Sequence, residues 1–277
     1  MNNKKVWLVT GCSKGLGKAL VEELIAQGYP VAGTSRSKES MEKNIGVESD
    51  PFLPLSMNVK DEVDVKKAIA QATEKFGRID VVVNNAGFTH LATIEEMSDA
   101  DAREEFDINV FGMLNVIRSV LPQMRAQGSG HIFNVSSLGA YNVGPLSGIY
   151  CATKHAVKAI SETLAQEVKE FGIHVTDVKP GFMRTEFFGS SYKTTAPEGS
   201  PYKHLYDENM EFYMGQNGNQ AGDPKKAAKL YIQVAEMDEP FESLPMGTDC
   251  CDGIRDICEG TVKLMEEMKS VAETTNF

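Results

Sequence analysis

Long apolar runs are missing from this chain: no stretch approaches the roughly 18 consecutive apolar residues a membrane-crossing helix needs. Basic charge is also scarce. Lys and Arg number 28 against 39 Asp and Glu, a net charge of −11 with a pI near 5.0. That balance disfavours a grip on a nucleic-acid backbone or an anionic membrane surface. Cysteine is sparse, with five in 277 residues (Cys12, Cys151, Cys250, Cys251, Cys258), an odd number without a CxxC pair. A chain this long needs no disulfides, so reduced thiols and a cytoplasmic location are expected. The last three thiols lack a fourth ligand and zinc-type spacing, and no metal site is expected. Cys12 and Cys151 are placed to make the protein thiol-sensitive rather than to act as nucleophiles. The start, Met1 to Lys5, has the charge of a leader, but the apolar run Val6–Val9 is too short for one. Repeats at solenoid periods and low-complexity stretches are lacking too.

What is present is an alternation of short β-rich apolar runs with helical stretches. Strands are expected at Val6–Thr10, Val31–Thr34, Phe52–Met57, Ile79–Asn84, His131–Ser137 and Ile173–Lys179. Helices are expected at Gly17–Gln27, from an Asp61 cap to Phe76 with Gly77 as its stop, at Ala100–Gln127, and at Tyr150–Phe171. Runs such as Ile79-Asp80-Val81-Val82-Val83 are nearly continuous in apolar residues, as strands covered on both faces must be. The pattern predicts an α/β fold, a Rossmann-type doubly wound parallel sheet in three α/β/α layers, as a single domain over residues 1–277.

Two local patterns carry chemistry. Between the first strand and first helix stands Thr10-Gly11-Cys12-Ser13-Lys14-Gly15-Leu16-Gly17. Glycines there permit tight turns and close backbone approach, and the helix N-terminus offers N–H groups to an anion. The spacing G-x3-G-x-G differs from the two-domain dehydrogenase pattern. Ala19 after Gly17-Lys18 rules out a nucleotide-triphosphate loop, which needs a hydroxyl there. A dinucleotide is the expected ligand. The second strand ends in Thr34-Ser35-Arg36-Ser37, with no acid before Glu39 to hold a ribose 2′-OH. Ser35, Arg36 and Lys14 instead make a pocket for a 2′-phosphate, which favours NADP(H) over NAD(H). The second pattern is Tyr150-x3-Lys154, two residues on one helical face, 13 positions after Ser137. An ammonium ~5 Å from a phenol, at an effective dielectric of ~20, favours the phenolate by about 3 kcal/mol. That is roughly two pKa units before desolvation takes some back. Tyr150 is thereby the expected acid/base of a hydride transfer to a carbonyl.

Taken together, Thr10–Gly17, Asn84–Gly87, Asn109, Ser137, Tyr150/Lys154 and Pro180-Gly181 with Thr185 resemble the short-chain dehydrogenase/reductase family over residues 5–185. The resemblance implies that Ser137 hydrogen-bonds the substrate oxygen. It makes Lys154 also grip the nicotinamide ribose, and it has Asn109 hold a water that links Lys154 to solvent. By the same carry-over Asn58 and Val59 flank the adenine, with Asn58 standing where the family often has Asp. Asn85, Ala86 and Gly87 line the cofactor, while backbone after Pro180 and Gly181, with Thr185, holds the carboxamide. Members commonly associate through the helices corresponding to 100–127 and 150–171, so a homodimer or homotetramer is expected.

Residues 182–213 are unlike the rest, holding eight of the chain's 22 aromatics together with Pro197, Gly199 and Pro201. A partly mobile lid over about 182–221 is expected, closing on an apolar or ring-bearing substrate of the sterol, retinoid-like or aromatic kind. A helix from Asp223-Pro224, a short run near Glu242–Met246 and a last helix across Ile254–Met268 follow. The combined reading is an NADP(H)-dependent alcohol dehydrogenase or carbonyl reductase acting on a small molecule. Its competitors are a dinucleotide-sensing regulator and a sugar-nucleotide epimerase or dehydratase on a related fold.

Overall fold

The computed structural model describes residues 4–187, 192–194 and 196–277. In chain order the strands are β1 (Trp7–Thr10), β2 (Val31–Ser35), β3 (Phe52–Ser56), β4 (Val81–Asn84), β5 (Thr89–Leu91), β6 (Gly130–Val135), β7 (Ile173–Pro180), β8 (Tyr192–Thr194) and β9 (Ser243–Met246). The helices are α1 (Gly15–Ala26), α2 (Lys38–Asn44), α3 (Glu62–Phe76), α4 (Asp99–Phe106), α5 (Met113–Gln127), α6 (Gly148–Val168), α7 (Lys203–Gln216), α8 (Pro224–Ala235) and α9 (Thr248–Ala272). Seven strands form one parallel sheet in the order β3-β2-β1-β4-β6-β7-β9.

Side chains alternate across this sheet, so each strand feeds two cores. Trp7 and Val9 of β1 pack with Leu20 and Leu24 of α1, Phe133 of β6, and Tyr231 and Ile232 of α8. Leu8, between them, faces the other way, into Val65 and Ile69 of α3, Val116 and Val120 of α5, and Val157 and Leu164 of α6. The Phe133 ring meets Tyr231 edge-on at 5.3 Å. Truncating such a ring to Ala costs about 3–5 kcal/mol. Three layers and a doubly wound sheet thus follow from apolar runs that must be covered on both faces.

Local signals behave as their chemistry requires. Asp61 caps α3 by accepting from the Val63 and Asp64 N–H groups, and Gly77 ends it at φ +83°. Asp223 caps α8, whose first residue is Pro224. Ala100–Gln127, expected as one helix, is two: a π-helical turn, Asp107–Gly112, separates α4 from α5. Such a turn leaves the apolar periodicity nearly intact and so leaves little trace in sequence. A side chain at Gly112 would meet Val59 Cγ2 at 2.7 Å, so the glycine lets α5 lie against the loop after β3. The last helix begins at Thr248, six residues before the expected start. The short parallel pair β5–β8 has no counterpart among the expected strands.

After β3 the chain returns across the sheet to β4, so the connections after β1 and β4 leave in opposite directions. In such sheets a crevice opens beyond the carboxyl ends of the strands at that point. Among the described residues no helix is long and apolar enough to cross a membrane.

Candidate active site

The crevice is a cleft of about 930 Å³, near the upper end of the range for small-molecule sites. One end is built by the turn between β1 and α1. Gly11 and Gly15 adopt φ +65° and +61°, the left-handed region that disfavours a side chain. A Cβ on Gly11 would lie 2.7 Å from the Ala86 Cα, and one on Gly17 would lie 2.5 Å from Asn85 Nδ2. These glycines let the turn close onto the segment after β4, where Asn85 Nδ2 donates to the Thr10 and Gly11 carbonyls at 2.9 and 3.0 Å. The first turn of α1 has no side-chain cap and no acidic residue, leaving its N–H groups to the cleft.

Gly11, Ser13, Lys14, Gly15, Leu16, Ser35, Arg36, Asn58, Val59, Asn85, Ala86, Gly87, Ser137, Tyr150, Lys154, Pro180, Gly181 and Thr185 all line the cleft. Two of the residues singled out in the sequence do not. Gly17 is buried behind the turn, where it makes room for Asn85. Asn109 is 3% exposed, with its side chain spent on neighbours: Nδ2 donates to the Phe88 carbonyl and to Thr153 Oγ1, and Oδ1 accepts from the Phe88 N–H. That side chain clamps the cleft wall, and its polar atoms already have protein partners.

At the glycine-turn end of the cleft, burial and the nearby Arg36 guanidinium both hold the Lys14 ammonium below its ordinary pKa, while Glu186 works the other way. Two cations thus share one pocket. Glu39, the first acid after β2, is turned away: Ser37 Oγ donates to it at 2.9 Å, and backbone N–H bonding holds its pKa low at the start of α2. Asn58 receives no help from its own charge, but its N–H donates to Asp64, which also lines the cleft.

At the other end Tyr150 and Lys154 emerge from the first turns of α6. The Lys154 ammonium lies 5.6 Å from the Tyr150 ring centre and donates to the Val135 carbonyl at 2.9 Å. Ser137 follows β6, accepts from the Gly139 N–H at 3.0 Å, and hydrogen-bonds the Tyr150 hydroxyl. The expected lowering of the tyrosine pKa is not what the protein delivers. Burial raises Tyr150 far above its ordinary value, with only Ser137 opposing it, and burial pushes Lys154 down to about 8. Desolvation sets the direction of the shift.

Sequence reading missed several contributors. Asp249, at the start of α9, accepts from the Phe182 N–H at 2.6 Å and sits where a Gly181 side chain would be, so it fixes the turn after β7. Leu91, Leu138, Asn142, Val143, Phe212 and Tyr213 also line the cleft. Only the clustering of aromatics hinted at the last two. Phe187 stands 6.3 Å from the Tyr150 ring, and Phe182 meets Phe212 edge-on at 5.9 Å. Phe188 lies outside the described residues, as does the side chain of Tyr192. The cysteines do not converge: Cys12 is buried against the Thr34 carbonyl and pushed up to about 12, Cys250 is raised to about 11, and Cys251 and Cys258 are exposed. The expected sensitivity through Cys12 therefore has no thiolate behind it.

Residues 5–196 match the family model described as short chain dehydrogenase. The chain is 36% identical over 249 residues to the oxidoreductase BOA17 of Botryotinia fuckeliana, covering 90% of each. It is 32% identical to a 3-ketodihydrosphingosine reductase of Bacteroides thetaiotaomicron, covering 86% of this chain and 87% of that one. A short-chain dehydrogenase of Streptomyces avermitilis superposes over 100% of both chains at a TM-score of 0.89 and 33% identity. The NADP-bound structure of ElxO superposes at 0.73 with 26% identity, over 88% of this chain and 97% of that one. This chain belongs to the short-chain dehydrogenase/reductase family of oxidoreductases.

Proposed function

We propose that the protein is an NADP(H)-dependent carbonyl reductase and alcohol dehydrogenase that interconverts a secondary alcohol and a ketone or aldehyde on an apolar or ring-bearing molecule. The observation that carries this is the convergence of Ser137, Tyr150 and Lys154 on one cleft wall, facing aromatic rings from beyond Gly181. The glycine turn and the α1 N-terminus fit the cofactor's pyrophosphate, and Lys14 and Arg36 with Ser35 fit a 2′-phosphate. Asn58 and Val59 flank the adenine, Asn85, Ala86 and Gly87 line the middle, and Pro180, Gly181 and Thr185 face the nicotinamide. When bound, the nicotinamide supplies or accepts the hydride at the carbonyl carbon.

The remaining work falls to side chains. The Tyr150 hydroxyl donates its proton to the carbonyl oxygen as hydride arrives and takes it back in the reverse direction. Ser137 hydrogen-bonds the same oxygen and orients it. The Lys154 ammonium, beside Tyr150, holds the nicotinamide ribose and favours the phenolate once charge develops. Asn109 ties the Phe88 backbone to Thr153, so its contribution is to hold the wall from which Lys154 works.

Residues 182–221 act as the substrate lid, hinged after Gly181. Its far part is anchored: Tyr206 is buried with Leu91 and Leu146, and its hydroxyl donates to Glu96 at 2.9 Å. Phe182, Phe187 and Phe212 then close over the reacting carbonyl. The name of the Bacteroides relative, 3-ketodihydrosphingosine reductase, supports reduction of a ketone. Exposed Ala152, Ala159 and Phe111 on α6 and the 107–112 turn support self-association through these helices as a homodimer or homotetramer. A panel of carbonyls with NADPH tests the reading. Ring-bearing apolar ketones turn over with the higher kcat/KM, and preference for small sugars or polyols would contradict it.

A further inference from the structure

Glu105 is 0% exposed on the last turn of α4, four residues before Asn109. Neither of its oxygens has a hydrogen-bond partner among the described residues, and neither does the Thr89 hydroxyl on β5. An unpaired carboxyl held out of water is costly, and an aliphatic side chain of the same volume would pack there without that cost. The rest of α4 keeps its charge at the surface, as in the Arg103–Asp99 pair at 2.8 Å. Glu105 does not line the cleft; it lies behind the wall that carries Lys154.

The groups that face it come from three elements. From α6 this is Lys154, whose ammonium lies beside Asn109, one turn on from Glu105: a Cβ on Gly87 would stand 3.1 Å from Asn109 Oδ1 and 3.7 Å from Lys154 Nζ, with Tyr150 and Cys151 within reach of the carboxylate's field. From β5 there are Thr89, whose hydroxyl likewise has no partner among the described residues, and His90, whose ring lies 3.1 Å from Asp101. Asp177 of β7 also attracts the ammonium, but it is engaged with the buried Lys179 at 2.7 Å.

We propose that Glu105 is a positioning residue of this site: its carboxylate is the internal counter-charge that keeps the buried Lys154 ammonium protonated beside Tyr150. Burial pushes the carboxyl up to about 7 and the lysine down to about 8, and each group restrains the other's shift. The carboxylate therefore forms as pH rises through the range in which Lys154 begins to lose its proton. The consequence for turnover rests on the carbonyl-reductase reading; the electrostatic coupling does not.

The test reads Lys154 itself, by its 13Cε chemical shift against pH in the full chain, for wild type, Glu105→Gln, Glu105→Leu and Glu105→Asp. Gln and Leu each remove the charge in a different shape, so misfolding of one leaves the other to decide. The proposal expects the Lys154 midpoint to fall by about one unit in both, roughly tenfold in proton affinity, and Asp to restore most of it. The alkaline limb of kcat for NADPH-dependent reduction should move by the same amount. A changed melting temperature with an unmoved Lys154 midpoint, the signature of a merely structural carboxyl, overturns the proposal. A shifted midpoint in a protein that reduces no carbonyl upholds the coupling and refutes the functional reading.

Discussion

The two walls of the cleft are made in contrasting ways. On the cofactor wall, up to Gly181, backbone lies against backbone: a Cβ on Gly11 or Gly17 would lie within 2.7 Å of a neighbour, and strands are buried on both faces. On the substrate wall, beyond Gly181, the lining is side chains rather than backbone, Phe182, Phe187, Phe212 and Tyr213 among them, with Phe212 51% exposed. Charge divides along the same line. Residues 1–182 carry 19 basic and 22 acidic side chains, whereas 183–277 carry 9 and 17. The acidity that argued against nucleic acid belongs mostly to the second region, and the near-balanced first region concentrates Lys14, Arg36 and Lys154 at the cleft. A wall of backbone contacts tolerates almost no change and holds chemistry in place. A wall of exposed side chains can be altered without disturbing that chemistry, and so is where selectivity is expected to reside.

Four substitutions sharpen or break this contrast. The largest effect is expected on the cofactor wall, at Gly11→Ala. A left-handed alanine is strained by about 1–2 kcal/mol, and its Cβ would collide with Ala86. NADPH affinity by fluorescence titration should fall on the order of 100-fold, since 1.4 kcal/mol is tenfold and strain and displacement add. Next is Arg36→Asp, which replaces a phosphate partner by a charge that repels it. The NADPH to NADH ratio of kcat/KM should fall about 10- to 100-fold, the worth of one charge-assisted bond, and an unchanged ratio would end the 2′-phosphate role. On the substrate wall, Phe212→Ala should raise KM for a ring-bearing ketone severalfold and leave NADPH affinity and melting temperature nearly unmoved, because the ring is half exposed. If it weakens NADPH as much as Gly11→Ala does, the contrast between the walls fails.

The smallest effect is a change of slope. The Glu105 carboxyl is raised from an ordinary 4.5 to about 7. A carboxyl raised on folding contributes stability below its unfolded pKa that is lost as pH climbs through the folded one. Wild type should therefore lose stability between about pH 4.5 and 7 on this account, and Glu105→Gln should not. The variant's melting temperature relative to wild type should be higher at pH 8 than at pH 5.

The two walls also differed in how legible they were. The cofactor wall could be read because its requirements fall on single residue types: glycine at a positive φ, an uncapped helix start, a missing acid after β2, and Tyr and Lys one helical turn apart. What it hid was packing. Gly17 and Asn109 carry the family's pattern yet serve neighbouring side chains, and the π-helical turn at 107–112 is nearly silent in a 3.6-residue periodicity. The direction of the Tyr150 shift has no local signature, because burial, a property of the whole fold, decides it. On the substrate wall, the aromatic clustering was visible but its arrangement was not. The β5–β8 pair, the Tyr206–Glu96 bond and the Asp249 hold on the turn after β7 join residues 67 to 110 positions apart. No local pattern records such contacts.

The account's central claim is that the cofactor wall performs proton-coupled hydride transfer through Tyr150. Its most direct test is a comparison of wild type and Tyr150→Phe at saturating NADPH with a ring-bearing ketone. The account predicts NADPH affinity unchanged within about twofold, since the hydroxyl alone is removed, and turnover reduced at least 100-fold, the lower end of what positioned acid–base groups contribute. Turnover retained in the variant would contradict it.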